Sequence, residues 1–267
     1  MGFAVAEAEF LKASRAVGVR FDRTMMLGRQ TLNMSRAELE RIAPGVPPGF
    51  AEPFLAHLGA TETRSIDMGR FGGATDAHDL NDAISEALEE QFSTVIDSGT
   101  LEHVFNVPEG LRSAMRMVRP GGHLVMMTPC NDAPGHGFYQ FTPELLYRVF
   151  SAENGFRVVR FMLHEHRGGW YEVVDPAGKR CEFRTSRTAY IYVIAERTAA
   201  LPIFATWPQQ SDYATEWAGA SAASVPSPLL RALERMPQLR RMILRLRSWS
   251  WPPSYKRRTH NFIRTTL

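Results

Sequence analysis

QFSTVIDSGTLEHVFNVPEGLRSAMRMVRPGGHLVMMTP, residues 91–129, carries the strongest structural signal of this chain. Residues 92–96 form a short β-rich run. Residues 124–127 form a continuous apolar run, which is typical of a strand buried on both faces of a parallel sheet. Between them, apolar residues at positions 107, 111, 115 and 118 have the spacing of an amphipathic helix. The stretch therefore predicts a strand, a crossover helix and a parallel strand, which together make one right-handed βαβ unit.

Pro108 suits the first turn of the helix between these two strands, and Pro-Gly-Gly at 120–122 predicts the end of the helix. The ends of the two strands predict where a ligand binds. In open α/β sheets, ligands bind beyond the carboxyl ends of the strands. We therefore expect residues 97–99 and 128–131 at the mouth of a site.

Helices and strands are predicted along the rest of the chain as well. Ser35 and Glu38 form a capping box, which predicts a helix that begins near residue 35. The other predicted helices cover residues 4–17, 51–58, 81–90 and 143–150, and the other predicted strands cover residues 24–27, 62–66, 75–78, 155–163 and 189–195. Residues 170–183, with an Asp-Pro-Ala-Gly turn, predict a β-hairpin.

The composition predicts a globular protein of the cytoplasm. Of the 267 residues, 44% are hydrophobic, and no apolar run reaches the length of about 18 residues that a transmembrane helix needs. The first 19 residues lack the basic lead and long apolar core of a signal peptide. The two cysteines, Cys130 and Cys181, have no metal-type spacing, which favours an intracellular, reducing compartment.

The basic character belongs to the C-terminal part of the chain. Residues 226–267 contain ten Lys or Arg against one acid, a net charge of +9, so with +3 overall residues 1–225 carry −6. Residues 229–246, followed by Trp249 and Trp251, predict a basic amphipathic helix. Three roles stay open for this helix: it packs on the body of the protein, it contacts a membrane surface peripherally, or it contacts acidic partners. Nucleic-acid binding is not expected, since no recognised motif accompanies the charge.

Several motifs in order resemble the second half of class I S-adenosylmethionine-dependent methyltransferases. They are FSTVIDSGTLEHV (92–104), RMVRPGGHLVMMTP (116–129), FTPE (141–144) and GFRVV (155–159). The resemblance covers residues 60–197. It implies an α/β fold, a Rossmann-like methyltransferase domain over residues 20–198, with a mainly parallel seven-stranded sheet whose last strand is antiparallel. An N-terminal helix (1–19) and a linker with the basic helical extension (199–267) flank this domain.

The resemblance also implies S-adenosylmethionine as the cofactor. By position, Gly28 lies in the first turn, Asp67 is placed for the ribose and Asp79 for the adenine, and Asp97 completes the cofactor-binding set. The alternative is that Asp67 and Asp79 each cap the turn that follows them.

The first turn departs from the family pattern. MLGRQT (26–31) replaces the usual acid-x-G-x-G-x-G and keeps one glycine. Arg29 has three open interpretations: it pairs with the cofactor's carboxylate, it binds an anionic substrate, or it fills the pocket and abolishes cofactor binding. Two rival functions follow from these. One is a degenerate binding or scaffold subunit, and the other is an enzyme of different chemistry that acts on an anionic substrate.

GHGFYQFTPE (135–144) predicts an acceptor site. His136 is the expected general base, because an imidazole titrates near the working pH, and His103 supports it. Glu102, Phe138, Tyr139 and His164 are the expected substrate-binding residues. The alternatives are an aromatic loop packed under the sheet and a structural role for His103.

We expect an O-methyltransferase that acts on a hydroxyl of a polar, sugar-containing small molecule. The sugar rests on the aromatic loop and on the motifs GTLEHVFNVP (99–108), GHGFYQFTPELL (135–146) and LGRQ (27–30). These motifs resemble a subgroup of uncharacterised methyltransferase-like proteins associated with glycan and secondary-metabolite genes. The sequence does not indicate an oligomeric state.

The main prediction includes no metal, but one metal set is an open alternative. Some metal-dependent methyltransferases hold a divalent ion with a Glu-x-x-Glu-His cluster, which Glu102 and His103 resemble in part. Gly99 stands where the first Glu would be. Glu102, His103 and His136 would then form the set.

Overall fold

The structure is a computed structural model that describes residues 2–70, 72–178, 181–219, 236, 238 and 260–267. The described helices are α1 (Val5–Ser14), α2 (Arg36–Ile42), α3 (Glu52–His57), α4 (Val107–Met117), α5 (Pro143–Val149) and α6 (Ser211–Gly219). The described strands are β1 (Gly2–Phe3), β2 (Arg23–Leu27), β3 (Thr31–Leu32), β4 (Glu62–Asp67), β5 (Asp76–Ala77), β6 (Phe92–Ser98), β7 (Val118–Asn131), β8 (Phe156–Glu165), β9 (Trp170–Val173), β10 (Ala189–Arg197) and β11 (Phe262–Thr265). Short 3₁₀ turns cover Arg15–Val17, Glu86–Leu88, Leu101–His103 and Ala152–Asn154.

Nine of these strands form one sheet in the order β11-β9-β8-β10-β7-β6-β2-β4-β5. The strands β7, β6, β2, β4 and β5 are mutually parallel. β10 is antiparallel to both β7 and β8. The predicted α/β class with a late antiparallel strand is therefore confirmed. The predicted count of seven strands is wrong, because β9 and β11 extend one edge.

The strand order reverses between β2 and β6. From β2 the chain moves outward to β4 and β5, and it then returns to place β6 on the other side of β2. At such a switch point the connections on either side leave in opposite directions, which opens a crevice at the carboxyl ends of the strands.

Alternate side chains of the central strands enter two separate cores. Met25 on β2 and Val95 on β6 belong to one core, and Met26 and Ile96 belong to the other. Helices α4 and α5 cover the first core, and α1, α2 and α3 cover the second. Because both faces are covered, the strands need apolar residues at consecutive positions, which explains the uninterrupted run at 124–127.

The predicted βαβ unit is β6, α4 and β7. The helix ends at Met117, before the Pro-Gly-Gly cluster as predicted, and the next strand starts directly at Val118. Residues 119–122 bulge, since Val118 pairs with Phe92 while the next pair is His123 with Thr94. A Cβ at Gly122 would lie 2.9 Å from the carbonyl oxygens of Arg119 and Ser93, so only glycine fits there.

The helix that begins near residue 35 is confirmed, and its cap has the predicted chemistry. The Glu38 N–H donates to Ser35 Oγ at 3.3 Å, and the Ser35 N–H donates to Glu38 Oε2 at 2.8 Å. The helices predicted at 4–17, 51–58 and 143–150 are also present, as α1 with its 3₁₀ turn, α3 and α5.

The helix predicted over residues 81–90 is wrong. That segment holds only the 3₁₀ turn Glu86–Leu88. Asp79 accepts from the Asn81 N–H and Ser85 accepts from the Ala87 N–H. Side chains that satisfy neighbouring backbone donors favour turns over a regular helix, which explains the difference.

The hairpin predicted over residues 170–183 is also wrong. β9 pairs with β8 on one side and with β11 on the other. Asn261 fixes this arrangement, because its Nδ2 donates to the carbonyl oxygens of Val174 and Asp175. The partner of β9 therefore comes from the end of the chain rather than from across the turn.

The N-terminal residues pack against the sheet. β1 pairs with β3 in a small parallel sheet of its own. On α1, the Phe10 ring lies edge-on to Tyr192 of β10, with centroids 5.2 Å apart. The predicted basic helix over 229–246 lies outside the described residues except for 236 and 238, and Trp249 and Trp251 also lie outside them. Among the residues that are described, no helix is both long enough and apolar enough to span a bilayer.

Candidate functional site

A cavity of about 790 Å³ lies at the carboxyl ends of β6 and β7. Ser98, Gly99 and Glu102 form one side. The N-terminal segment, residues 2–9, supplies much of another wall. The third is aromatic, made of Trp170, Tyr190 and Tyr192. The cavity therefore lies at the carboxyl edge of the sheet, beside the switch point, on the side of β6 and β7.

Glu102 and His136 meet at the floor of this cavity. Glu102 follows β6 in the turn Leu101–His103 and is fully buried. Its Oε1 lies 3.3 Å from Nε2 of His136, and its Oε2 accepts from Thr128 Oγ1 at 3.3 Å. The ring of His103 lies 4.9 Å from the ring of His136. One ligand atom from each of Glu102, His103 and His136 lies within 4.8 Å of the other two.

The backbone of the glycine-rich loop holds His136 in place. The N–H groups of Phe138 and Tyr139 both donate to the carbonyl oxygen of Glu102, at 2.7 and 3.2 Å. Gly137 has φ +74°, and a Cβ there would lie 2.7 Å from the same oxygen. Only glycine lets this loop come so close, and this is why His136 reaches a residue 34 positions earlier.

Asp97 lies behind this group at the end of β6. It is fully buried, and its Oδ1 accepts from the N–H groups of Thr100 and Leu101 at 3.0 and 3.3 Å. Its Oδ2 has no hydrogen-bond partner in the described part of the chain. Burial, and then the charge of Glu102, raises the pKa of Asp97 well above its ordinary value. Burial also raises the pKa of Glu102. Two carboxyl groups are therefore buried close together, where burial disfavours the charged form of each.

Arg29 is engaged with protein groups. Its Nε contacts Glu52 Oε1 at 2.7 Å, its Nη1 donates to the Gly72 carbonyl oxygen at 2.7 Å, and its guanidinium lies 3.6 Å from the centre of the Phe50 ring. Gly28 has φ +68°, and its N–H donates to the Ile66 carbonyl oxygen at 2.7 Å. The first turn is thus closed by contacts to its neighbours, and neither residue lines the cavity.

Asp67 and Asp79 lie near the ends of β4 and β5, on the other side of the switch point. Asp67 is half-buried, and its Oδ1 accepts from the Met68 N–H at 2.8 Å. Asp79 Oδ1 accepts from both the backbone N–H and the side-chain Nδ2 of Asn81, and these hydrogen bonds lower the pKa of Asp79. Both acids therefore accept hydrogen bonds from residues that directly follow them, while their assignment to a cofactor stays a prediction.

The predicted acceptor residues fall into two groups. His164 lines the cavity and stacks on Trp170 at 4.2 Å. Phe138 and Tyr139 lie outside its lining: Phe138 is 68% exposed, and the Tyr139 hydroxyl donates to the Phe105 carbonyl oxygen at 2.9 Å.

Sequence reasoning missed the aromatic wall and Glu7. Tyr190 and Tyr192 alternate along β10, and the Tyr192 hydroxyl donates to Glu7 Oε1 at 2.5 Å. The alternating tyrosines of AYIYVIA were the available signal, because alternate strand residues face the same side of a sheet.

Comparisons with known proteins give likenesses of fold only. No protein-family model matches the chain, and no curated protein matches it. Similar solved structures include the N-methyltransferase NodS from Bradyrhizobium japonicum with S-adenosyl-L-homocysteine, which is 14% identical over 73% of this chain and 86% of its own, with a TM-score of 0.44. A SAM-dependent methyltransferase from Methanosarcina mazei is 10% identical over 68% and 95%, with a TM-score of 0.43.

A structure of different chemistry is equally similar. The [4+2]-cyclase SpnF is 13% identical over 73% of this chain and 81% of its own, with a TM-score of 0.43. Likenesses this distant carry no argument about activity, so the fold assignment rests on the strand order of the sheet itself.

Proposed function

We propose that this chain is an S-adenosylmethionine-dependent methyltransferase that acts on a hydroxyl of a polar, sugar-containing small molecule. The observation that carries the proposal is the Glu102–His136 pair in a cavity at the carboxyl ends of β6 and β7. A hydroxyl must lose its proton as it is methylated, and an imidazole beside a buried carboxyl group is suited to that task. The sequence resemblance supplies the choice of cofactor.

The residues beside the switch point fit the cofactor in part. The half-buried carboxyl of Asp67 is the type of acceptor that ribose hydroxyls need, and the sequence resemblance assigns Asp79 to the adenine. Gly28 supplies the tight first turn. Arg29 is a poor receptor for the cofactor's carboxylate, because Glu52 engages its Nε and the Gly72 carbonyl oxygen engages its Nη1. When bound, the cofactor supplies an electrophilic methyl group.

The protein's own residues would orient the acceptor and move one proton. If Glu102 holds the proton on Nε2 of His136, Nδ1 is the ring nitrogen that can receive the acceptor's proton. His103, with its ring beside that of His136, would support the charge change. Trp170 and Tyr190 are partly exposed aromatic rings of the kind that sugar rings stack on, while Tyr192 is only 1% exposed. In-line methyl transfer then depends mainly on positioning.

A binding or scaffold subunit is the second candidate function, and the closed first turn favours it. Arg29 and Gln30 fill the region where the family has glycines, and Gln30 is fully buried with its Nε2 on the Leu27 carbonyl oxygen. The rival with an anionic substrate has less support. Four glutamates line the cavity against one basic side chain that is always charged, Arg167.

Calorimetric titration with S-adenosylmethionine and S-adenosylhomocysteine tests the proposal first. Micromolar affinity is the expected result, and a screen of hydroxylated glycosides would then identify the acceptor. His136→Ala should lose turnover while keeping its cofactor affinity. The absence of binding to either compound would leave the scaffold function, and full turnover in His136→Ala would remove the base assignment.

A further inference from the structure

We propose that Glu102, His103 and His136 form a binding site for a divalent transition-metal ion. One ligand atom from each residue lies within 4.8 Å of the other two, so a single ion can reach all three with small side-chain movements. The inference concerns the cavity of the proposed methyltransferase, but it does not require that the chain bind a cofactor.

The buried carboxylate is the first argument for an ion. Glu102 is 0% exposed, and its Oε1 has no hydrogen-bond donor among the described residues. His136 Nε2 is 3.3 Å away but does not complete a hydrogen bond. A buried carboxylate oxygen without a donor is costly, and buried charges are usually paired or bound to metals. Glu102 and His136 both line the cavity, so an ion in the cavity needs only a movement of the half-exposed His136 side chain to reach this oxygen.

The second argument is that the ligands are already positioned. Thr128 Oγ1 donates to the other oxygen of Glu102, an outer contact of the kind that orients metal ligands. Two backbone hydrogen bonds to the Glu102 carbonyl oxygen fix the loop that carries His136. The site therefore needs little ordering when an ion binds, which lowers the entropic cost of binding.

The ligand types select the ion. Two imidazoles and one carboxylate suit Zn²⁺, Fe²⁺, Co²⁺ or Mn²⁺, whereas Mg²⁺ and Ca²⁺ prefer oxygen ligands. Three protein ligands leave positions open for water or an acceptor oxygen. Both histidines are exposed, and His136 also lines the cavity, so these positions face the space where an acceptor would lie.

An ion at this site changes the role of His136. A hydroxyl bound to a divalent ion loses its proton more readily, so the ion would do what the imidazole does in the metal-free protein. His136 would then be a ligand rather than a base, and methyl transfer would depend on the metal.

Metal titration of the EDTA-treated and desalted full chain tests the site without any cofactor. Zn²⁺, Co²⁺ and Mn²⁺ are titrated by calorimetry at pH 7.5, and Co²⁺ is also followed by its visible absorption, which reports nitrogen and oxygen ligation. We expect one ion per chain, with weaker binding of Mg²⁺. His103→Ala and His136→Ala should each weaken binding by at least about 10-fold. Because both side chains are exposed, these variants should fold.

Two further variants sharpen the result. Glu102→Gln keeps the size of the buried side chain and removes its charge, and it should weaken binding at least as much as either histidine variant. His57→Ala, which removes another exposed histidine, far along the chain on α3, should bind as the wild type does. No ion bound by the wild type would overturn the proposal. Affinity unchanged in both His103→Ala and His136→Ala would do the same, because the ion would then lie elsewhere. Cofactor titration in EDTA separately reports on the methyltransferase proposal.

Discussion

Replacing Asp97 with asparagine should stabilise the protein, and the gain should grow with pH. Burial and the charge of Glu102 raise the pKa of Asp97 well above its ordinary value in the folded chain. The folded state therefore holds this proton more tightly than the unfolded state does. Wild-type stability is fully present below the unfolded pKa of about 3.9, and it is lost progressively as the pH rises toward the folded pKa.

The local contacts indicate how large the gain should be. An amide oxygen in place of Oδ1 can still accept from the N–H groups of Thr100 and Leu101. Oδ2 already has no partner among the described residues, so an amide nitrogen there loses no hydrogen bond. The substitution removes the charge that the wild type has to bury at high pH, and each pH unit between the unfolded and the folded pKa is worth about 1.4 kcal/mol. For a domain of this size, each kcal/mol raises Tm by about 2–4 °C.

Thermal and urea unfolding of both proteins in EDTA, followed by circular dichroism between pH 4 and pH 8, measures the effect. The two proteins should differ little at pH 4 and most at pH 8. Asp82→Asn, at an exposed aspartate, is the control and should stay within about 0.5 kcal/mol of the wild type at each pH. A variant less stable than the wild type at pH 8, or a gain that does not change with pH, would refute the reasoning.

Three further substitutions test particular contacts. Arg29→Ala removes the ion pair with Glu52, so Tm should fall by the equivalent of about 1 kcal/mol. The affinity for S-adenosylmethionine, measured by calorimetry, should stay unchanged. A large loss of affinity would show that Arg29 binds the cofactor after all. Ser35→Ala removes the cap of α2 and should cost about 1 kcal/mol, seen as a lower urea midpoint with an unchanged m-value; an unchanged midpoint would mean that the cap contributes nothing. Tyr192→Phe removes the hydroxyl that donates to Glu7. It should lower the free energy of unfolding by about 1–3 kcal/mol and speed amide hydrogen exchange in α1. Unaltered exchange would mean that this hydrogen bond does not anchor the helix.

The cavity combines charge and aromatic surface in a way that constrains its ligand. Glu7 and Glu102 both contribute to the raised pKa of Tyr190, after its burial, so both carboxylates act on the same wall. An acceptor that enters would meet flat rings on one side and acids on others. This environment suits a polar, uncharged or cationic molecule better than an anion.

Local sequence determined the elements that depend on near neighbours. The capping box of Ser35 and Glu38 formed as predicted, because its partners lie three residues apart. The β6–α4–β7 unit also formed as predicted, since its helical spacing and its apolar strands are properties of one continuous segment. The histidine at 136 and the glutamate at 102 could be named as candidates because glycines and polar residues follow the predicted strands.

Contacts between distant segments lay beyond any local pattern. β9 pairs with residues 262–265, about 90 positions later, and no periodicity near residue 170 indicates that partner. Arg29 is engaged by Glu52 and the Gly72 carbonyl oxygen, whose positions depend on how α3 and the loop after β4 pack. Glu102 is buried beside His136 only because the loop at 135–139 folds back onto its carbonyl oxygen. Side-chain chemistry and hydrophobic spacing can be read from the sequence, whereas the distance between two charged groups depends on the packing of the whole sheet.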